Sequence, residues 1–164
     1  MTVSSLTRCA VLCLVVFGCS VSPGKHVSST DADSATLRKL ADEWRAAARA
    51  GAVDQYMSLL TSDVAMLVPL QPVLTGQDAV RTFVQPFFEE YRISEETWRS
   101  DEMVVTGEWA FDRGTYSAVY TRPAVGDSFQ DTGTYLLIAR RQPSGAWKYA
   151  RLTWNVTHST WPPH

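Results

Sequence analysis

The sequence is poor in cysteine and histidine, the residue types that most often supply metal ligands and nucleophiles. It has three of each in 164 residues. Cys9 and Cys13 lie in an N-terminal apolar run, so a chain cleaved after that run would keep only Cys19. One cysteine cannot form an intrachain disulfide and cannot supply a thiolate metal site. We therefore expect neither a metal site nor a cofactor.

Strongly basic segments and long apolar runs are also missing. The formal net charge is −2 and no block of Lys and Arg is present, so nucleic acid is not an expected partner. The apolar run over residues 9–17 is shorter than the roughly 20 residues that a membrane-spanning helix needs. With Arg8 before it, this run predicts a secretory signal peptide over residues 1–18.

The end of that run predicts a lipid anchor. Residues 16–19 (VFGC) resemble the bacterial lipobox, with Phe17 where a smaller residue is usual. Several acyl chains on Cys19 would anchor the protein stably. Residues 19–33 are polar and Ser-rich, which is typical of a flexible tether. The predicted location is the bacterial cell envelope, on a membrane and facing the periplasm or the exterior; the alternative is an ordinary cleaved signal peptide.

One domain is predicted over residues 34–157, with a short tail over 158–164. Apolar residues at helical spacing predict a first helix that Asp33 or Ser34 caps and that ends at Gly51. The pattern then predicts a helix over 53–60, an apolar strand over 64–68, a capping box over 75–78 and a third helix that Pro86 kinks or splits.

From Ser94 the apolar period changes to two, which is typical of strands. The predicted strands cover residues 98–104, 109–120, 130–140 and 147–155, with a polar loop over 121–129. Long consecutive strands joined by short turns predict an antiparallel meander. Helices followed by a sheet indicate an α+β fold.

Several short motifs, taken in order, resemble one known family. They are Ala50-Gly51, Thr75-Gly76, Thr106-Gly107-Glu108-Trp109, Gly114-Thr115-Tyr116, Gly133-Thr134-Tyr135 and Gly145-Ala146-Trp147. Their order and spacing are similar to those of SnoaL-like, nuclear transport factor 2-like domains, in the branch of unknown function. The resemblance implies a cone-shaped fold with N-terminal helices packed on a curved antiparallel sheet around a cavity, commonly as a homodimer. It implies no activity, because one fold hosts unrelated functions.

The resemblance also implies where chemistry would lie. Related enzymes use an Asp or an Asp–His pair in the cavity, with a Tyr or a second acid that polarises a carbonyl. His26 and His164 lie outside the domain and His158 follows its last strand, so no internal dyad is expected. The carboxylates considered are Asp63, Glu102, Asp112 and Asp131, and the catalytic candidates are Asp63, Asp112, Tyr56 and Tyr116.

Asp112 and Arg113 lie on opposite faces of one predicted strand. Gly114 and Tyr116 share the face of Asp112, and Thr115 shares the face of Arg113. The resemblance favours the Arg113 face as the cavity wall. A buried Arg would then need an anionic ligand or an acidic neighbour. The alternative is a surface Arg that is paired across strands.

Three functions are compatible with these features. The favoured one is a non-catalytic domain of the cell envelope that binds a small apolar or weakly anionic molecule. The second is an isomerase, cyclase or dehydratase that uses a cavity Asp, and the third is a dimeric protein-interaction module. The predicted ligand-binding residues are Trp44, Tyr56, Met66, Phe83, Phe87, Trp98, Arg113, Thr115 and Trp154.

Overall fold

The computed structural model describes residues 31–161. Its elements are α1 (Asp31–Ala50), α2 (Val53–Ser58), β1 (Leu60–Leu67), β2 (Leu74–Thr75), α3 (Gln77–Glu90), β3 (Arg92–Thr106), β4 (Trp109–Arg122), β5 (Asp127–Arg141) and β6 (Trp147–Ser159). The predicted signal peptide, Cys19, most of the tether and the end of the tail lie outside the described residues. Between residues 31 and 161, no helix combines the length and apolarity that crossing a membrane requires.

The strands form one six-stranded sheet in the order β2-β1-β6-β5-β4-β3. The meander from β3 to β6 is antiparallel, as predicted. However, β1 runs parallel to β6 and pairs Met66 with Leu152, so the sheet as a whole is mixed, whereas the resemblance implied an antiparallel one. The α+β class is confirmed. The direction of β1 is set by its pairing with β6, which lies far away in the sequence. A local sequence pattern therefore cannot predict it.

The first helix differs from the prediction at one end only. Asp33 and Ser34 lie inside α1, so their predicted capping role is wrong. The Asp33 carboxylate instead forms an ion pair with Arg141 at 2.6 Å, which ties the start of α1 to the end of β5. Gly51 ends the helix as predicted, with a φ of 63° that favours glycine.

The start of α3 is built differently from the predicted capping box. Its N-cap is Gly76, at φ 83°, and no side chain caps the helix. The Gln77 amide donates instead to the carbonyl oxygens of Met57 and Leu60, at 3.4 and 3.1 Å. This contact joins α3 to the corner between α2 and β1. The helix then continues through Pro86 as one element, so Pro86 does not split it.

The β4–β5 hairpin is tighter than the predicted polar loop. Strand pairing continues to Arg122 and Asp127, which leaves only residues 123–126 as the turn. The Arg122 Nε donates to Asp127 Oδ1 at 2.9 Å, and this pair closes the ladder. Phe129, which the prediction placed in the loop, is 7% exposed on β5. The buried Phe129 ring and the Arg122–Asp127 ion pair together extend both strands beyond the ranges that the apolar alternation predicts.

Aromatic rings fill the space between the helices and the inner face of the sheet, which is the face that the helices cover. The Trp44 ring lies 5.4 Å from the Tyr56 ring, 6.0 Å from Trp98 and 5.5 Å from Tyr149, between ring centroids. Rings of this size contribute most of the apolar area in a small core. They hold α1 and α2 against the meander and occupy much of the predicted cavity.

Candidate functional site

A bulge in β3 decides which side chains face the helices. The ladder pairs Ser100 with Gly114 and Glu102 with Arg113, so Asp101 is an extra residue between two pairs. Glu102 therefore turns to the outer face, where it accepts a hydrogen bond from Arg113 Nε at 2.6 Å. The Arg113 side chain is 55% exposed. The expectation that Arg113 lies on the inner face is wrong, and its charge is balanced across the strands.

Asp112 consequently lies on the inner face, under α1. Ser100 Oγ donates to Asp112 Oδ1 at 2.5 Å, and the Tyr135 hydroxyl donates to Oδ2 at 3.2 Å. Burial raises the pKa of the Asp112 carboxyl, and these two hydrogen bonds and the charges of Arg45 and Arg38 offset part of that rise. The site is thus a half-buried carboxylate with two hydroxyl donors and two cations on α1.

Tyr135 is a neutral donor at this site. Burial first, and then the charge of Asp112 and its hydrogen bond, raise the pKa of Tyr135 to about 12. The hydroxyl therefore keeps its proton at neutral pH and can donate to a carboxylate or to another oxygen.

Two glycines make room for the tyrosines that line this face. In the β4–β5 ladder, Gly114 is opposite Tyr135 and Gly133 is opposite Tyr116. A Cβ on Gly114 would lie 2.9 Å from the Tyr135 hydroxyl oxygen, and a Cβ on Gly133 would lie 2.9 Å from Tyr116 Cε1. Each tyrosine therefore lies across the glycine of the neighbouring strand. For Tyr135 this position brings the hydroxyl to Asp112.

Little free space remains next to Asp112. The cavity against it has a volume of about 10 Å³ and is lined by Leu37, Met103, Ala110, Phe111, Leu137, Ala139 and Tyr149 in addition to Asp112. A space of this size holds about one water molecule. Ser100 is exposed, so the carboxylate lies close to solvent on the side where α1 meets β3. A substrate would reach Asp112 from that side.

The other catalytic candidates occupy different environments. Asp63 lies on β1, where both of its carboxylate oxygens accept hydrogen bonds from Arg140, at 3.0 and 2.6 Å. This guanidinium lowers the pKa of the Asp63 carboxyl. Tyr56 and Tyr116 are buried, and burial raises the pKa of each hydroxyl. The structure brings neither of them to Asp112.

The predicted ligand-binding residues separate into three groups. Trp44, Tyr56 and Met66 are buried in the core. Phe83, Phe87, Trp98 and Trp154 are partly buried and pack against that core. Arg113 and Thr115 lie on the outer face of β4. The inward residues therefore form one cluster, and Arg113 and Thr115 are separated from it by the sheet.

Sequence reasoning missed two members of the site, Tyr135 and Ser100. A signal for Tyr135 was present, because Gly-Thr-Tyr occurs twice, at residues 114–116 and 133–135. In an antiparallel pair of strands, two such motifs can place each tyrosine opposite the glycine of the other. Ser100 follows Trp98 by two residues and shares its face, but no comparable signal marked it as a partner of Asp112.

A second and larger pocket lies away from the sheet. It has a volume of about 550 Å³ and lies between the α1–α2 connection and α3, with Asp54, Arg81, Gln85, Glu89 and Arg92 among its lining residues. None of the predicted ligand-binding residues lines it. Arg81 is paired there with Asp54 at 2.7 Å. In the part of the chain described, no group of His, Cys, Asp and Glu is arranged to hold a metal ion.

Solved structures with the same fold come from several bacteria. A ketosteroid isomerase-like protein from Erwinia carotovora atroseptica is 21% identical, with a TM-score of 0.70 over 79% of this chain and 99% of that chain. A proposed dehydratase of the NTF2-like family from Streptomyces avermitilis is 18% identical, with a TM-score of 0.68 over 79% and 99%. An NTF2-like superfamily protein from Salmonella enterica serovar Typhimurium is 12% identical, with a TM-score of 0.65 over 79% and 95%. At these identities the likeness shows the fold alone.

The family assignment has separate support. No curated protein matches this chain. The family model for the SnoaL-like domain matches residues 41–138, which is more than half of the chain and spans α1 to β5. The SnoaL-like, NTF2-like superfamily includes isomerases and dehydratases as well as non-catalytic members. The chain belongs to the SnoaL-like domain family.

Proposed function

We propose that the domain catalyses a proton transfer in which Asp112 is the acid–base group and Tyr135 polarises a substrate oxygen. One observation carries the proposal: a half-buried carboxylate on the inner face is held by Ser100 and lies within hydrogen-bond reach of a tyrosine hydroxyl. A carboxyl with a raised pKa is a better base at neutral pH than an ordinary one.

The same arrangement favours a class of reaction. A substrate carbonyl oxygen could replace Asp112 Oδ2 as the hydrogen-bond acceptor of the Tyr135 hydroxyl. This hydrogen bond would polarise the carbonyl group, and Asp112 would then remove a proton from the adjacent carbon. Ser100 would continue to orient the carboxylate. Arg38 would favour substrates that develop negative charge, and Arg45 would do so less because it is paired with Asp42. This is the first step of an isomerisation or of a dehydration next to a carbonyl.

The packing leaves little open space next to Asp112, for a bound ligand or for a substrate. The rings of Trp44, Trp98 and Tyr149 occupy the space that the predicted binding cavity would need. A substrate at Asp112 therefore requires the contact between α1 and β3 to open, because the existing cavity holds about one water molecule. Opening on that side would expose Asp112 and would separate the ring of Trp44 on α1 from that of Trp98 on β3.

The experiment measures deuterium exchange from D₂O into a panel of β-hydroxy and β,γ-unsaturated ketones by mass spectrometry. We expect the wild-type protein to accelerate exchange for at least one class. The D112N variant should slow it by about 10²-fold or more, the usual contribution of a general base. D63N is the matched control, since Asp63 is outside the site, and it should exchange at the wild-type rate. No acceleration by the wild type, or full activity in D112N, rejects the proposal.

We also propose that this chemistry takes place outside the cytoplasm, on a domain anchored through Cys19. The support is the sequence of residues 8–19, where Arg8, an apolar run and a lipobox-like end occur in order. Metabolic labelling with a palmitate analogue tests it. The full-length wild type should carry the label and sediment with membranes, and C19A should do neither. An unlabelled wild type would contradict the anchor.

A further inference from the structure

An aromatic recess lies at the opposite end of the inner face from Asp112. Its walls are Tyr91, Tyr120 and Phe129, and the Trp161 ring occupies it. The Trp161 ring stacks on Phe129 with centroids 4.6 Å apart and an interplanar angle of 19°. It also lies 5.0 Å from Tyr91 and 5.7 Å from Tyr120. Asp112 is opposite Leu137 on β5. Phe129 lies eight residues before Leu137 on that strand, which corresponds to about 27 Å.

Trp161 is held in the recess by few backbone contacts. It lies beyond the end of β6, which is Ser159. The Thr160 N–H donates to Gln130 O at 2.9 Å, and the Gln130 N–H donates to Thr160 Oγ1 at 2.7 Å. Beyond these bonds, the Trp161 N–H donates to Ser159 Oγ at 3.1 Å, within the same segment. The ring is therefore fixed mainly by its contacts with the recess.

Trp161 does not satisfy all the polar groups of this region. Its Nε1 is buried and has no hydrogen-bond partner among the described residues. Asp131 Oδ1 is also buried and accepts no hydrogen bond from residues 31–161. Asp131 follows Phe129 by two residues and so faces the same side, about 7 Å along β5. Leaving a buried donor and a buried acceptor unpaired is unfavourable, and a better matched occupant would remove at least one of these defects.

The hydroxyl groups and charges nearby define what such an occupant needs. Asp131 is opposite Ala118 on β4, between Tyr116 and Tyr120 on the same face. Burial raises the pKa of Tyr120, and the charges of Tyr116 and Asp131 add to that rise. Arg122 lies 5.2 Å over the Phe129 ring but is paired with Asp127 and Glu90. The recess therefore has flat apolar walls and a cation that is already neutralised, and an unpaired carboxylate oxygen belongs to the inward residue that follows Phe129 on β5.

We propose that this recess is a binding site for an uncharged planar aromatic ring that carries a hydrogen-bond donor, and that Trp161 is its intramolecular occupant. The ring stacks on Phe129 in place of Trp161, and its hydroxyl or amino group donates to Asp131 Oδ1. Binding requires Trp161 to leave the recess, so the affinity measured for the wild type is reduced by the fraction of molecules in which Trp161 is bound.

The test uses 2-naphthol as the probe and isothermal titration calorimetry on the full chain. We expect W161A to bind 2-naphthol about tenfold or more tightly than the wild type, because the competing ring is removed. A second variant that lacks residues 161–164 should behave in the same way, which separates loss of the ring from any effect of the new side chain. W109A removes an exposed Trp on the other face and should leave the wild-type affinity unchanged.

The donor is tested by a matched pair of probes. In W161A, 2-naphthol should bind about tenfold more tightly than 2-methoxynaphthalene, which has no donor. Adding D131A should abolish that difference and leave the affinity for 2-methoxynaphthalene in place. D112N should change neither affinity, so this site and the proposed catalytic site can fail independently.

Displacement of Trp161 is tested in the wild type by the NMR signal of its indole N–H, assigned with W161A. Saturation with 2-naphthol should move that signal to the position of a solvent-exposed indole. Absence of binding to W161A and to the truncated chain would overturn the proposal. So would binding to both variants with no displacement of Trp161 in the wild type, because Trp161 would then be a permanent part of the core.

Discussion

Gly114→Ala tests how the Asp112 site is assembled. An added Cβ would lie 1.9 Å from the Arg99 carbonyl oxygen and 2.9 Å from the Tyr135 hydroxyl oxygen. The first neighbour is backbone, so the β3–β4 pair must separate or Tyr135 must move. The substitution thus connects strand spacing with the contact between Tyr135 and Asp112.

The expected cost follows from three contributions. Overpacking costs about 1–3 kcal/mol. Loss of the Tyr135 hydrogen bond to a charged group costs about 1.5 kcal/mol, the low end of the usual range, because its length is 3.2 Å. Replacing a strand glycine by alanine recovers about 0.5–1 kcal/mol. The net loss in the free energy of unfolding is therefore about 1.5–4 kcal/mol.

Urea unfolding at pH 7 measures the loss, and an NMR titration of the Asp112 carboxyl measures the effect on the site. The Asp112 pKa should rise further in G114A, because the carboxylate loses a donor that stabilises its charged form. Gly107→Ala is the control. Gly107 has a φ of 59°, and a Cβ added there would meet no atom of the described residues within 4 Å, so strain should cost about 1–2 kcal/mol without changing the Asp112 titration. A G114A protein as stable as the wild type, or with an unchanged Asp112 pKa, would refute the reasoning.

Three further predictions concern stability. Trp44→Ala should lower the free energy of unfolding by about 3–5 kcal/mol in a urea titration, because Trp44 is 8% exposed at the centre of the ring cluster; a loss below about 1 kcal/mol would contradict that position. Asp63→Asn should cost about 0.2–1 kcal/mol at pH 7. Arg140 lowers the pKa of Asp63, so this contribution is present above the unfolded-state pKa and is lost as pH falls through the folded-state pKa; an equal difference at pH 2 and pH 7 would contradict it. Asp112→Asn should have the opposite sign, a gain in the free energy of unfolding at pH 7, because the amide carries no charge that burial would penalise. The raised pKa of Asp112 makes its charged form unfavourable, so stability falls as pH rises through that pKa in the wild type, and the gain should disappear in acid; a loss at pH 7 would contradict it.

Local patterns predicted the helical half of the fold well. Leu37, Leu40 and Trp44 are at helical spacing and all three are buried against the sheet. Gly51 ends α1 because only glycine readily adopts its φ. The meander was also predictable, since strand alternation is a local signal. The parallel pairing of β1 with β6 was not, because it joins segments separated by the whole meander.

The Asp112 site was less predictable because the bulge at Asp101 in β3 reverses which side chains face inward. Up to Ser100 the residues on the inner face of β3 follow the pattern, and after Asp101 the inward position shifts to Met103. Uninterrupted alternation would keep Glu102 on the face of Ser100, whereas the bulge places it on the outer face. The face of β4 was an open choice in the sequence, and the resemblance favoured the wrong side.

The most direct test of the account is the pKa of Asp112, measured from its carboxyl carbon by NMR between pH 2 and pH 9. An ordinary Asp titrates near 3.9. The account predicts that Asp112 titrates above this value, because of burial, while Asp63 titrates below it, because of Arg140. Asp112 titrating at or below the value of Asp63 would contradict the claim that this carboxylate is the acid–base group of the domain.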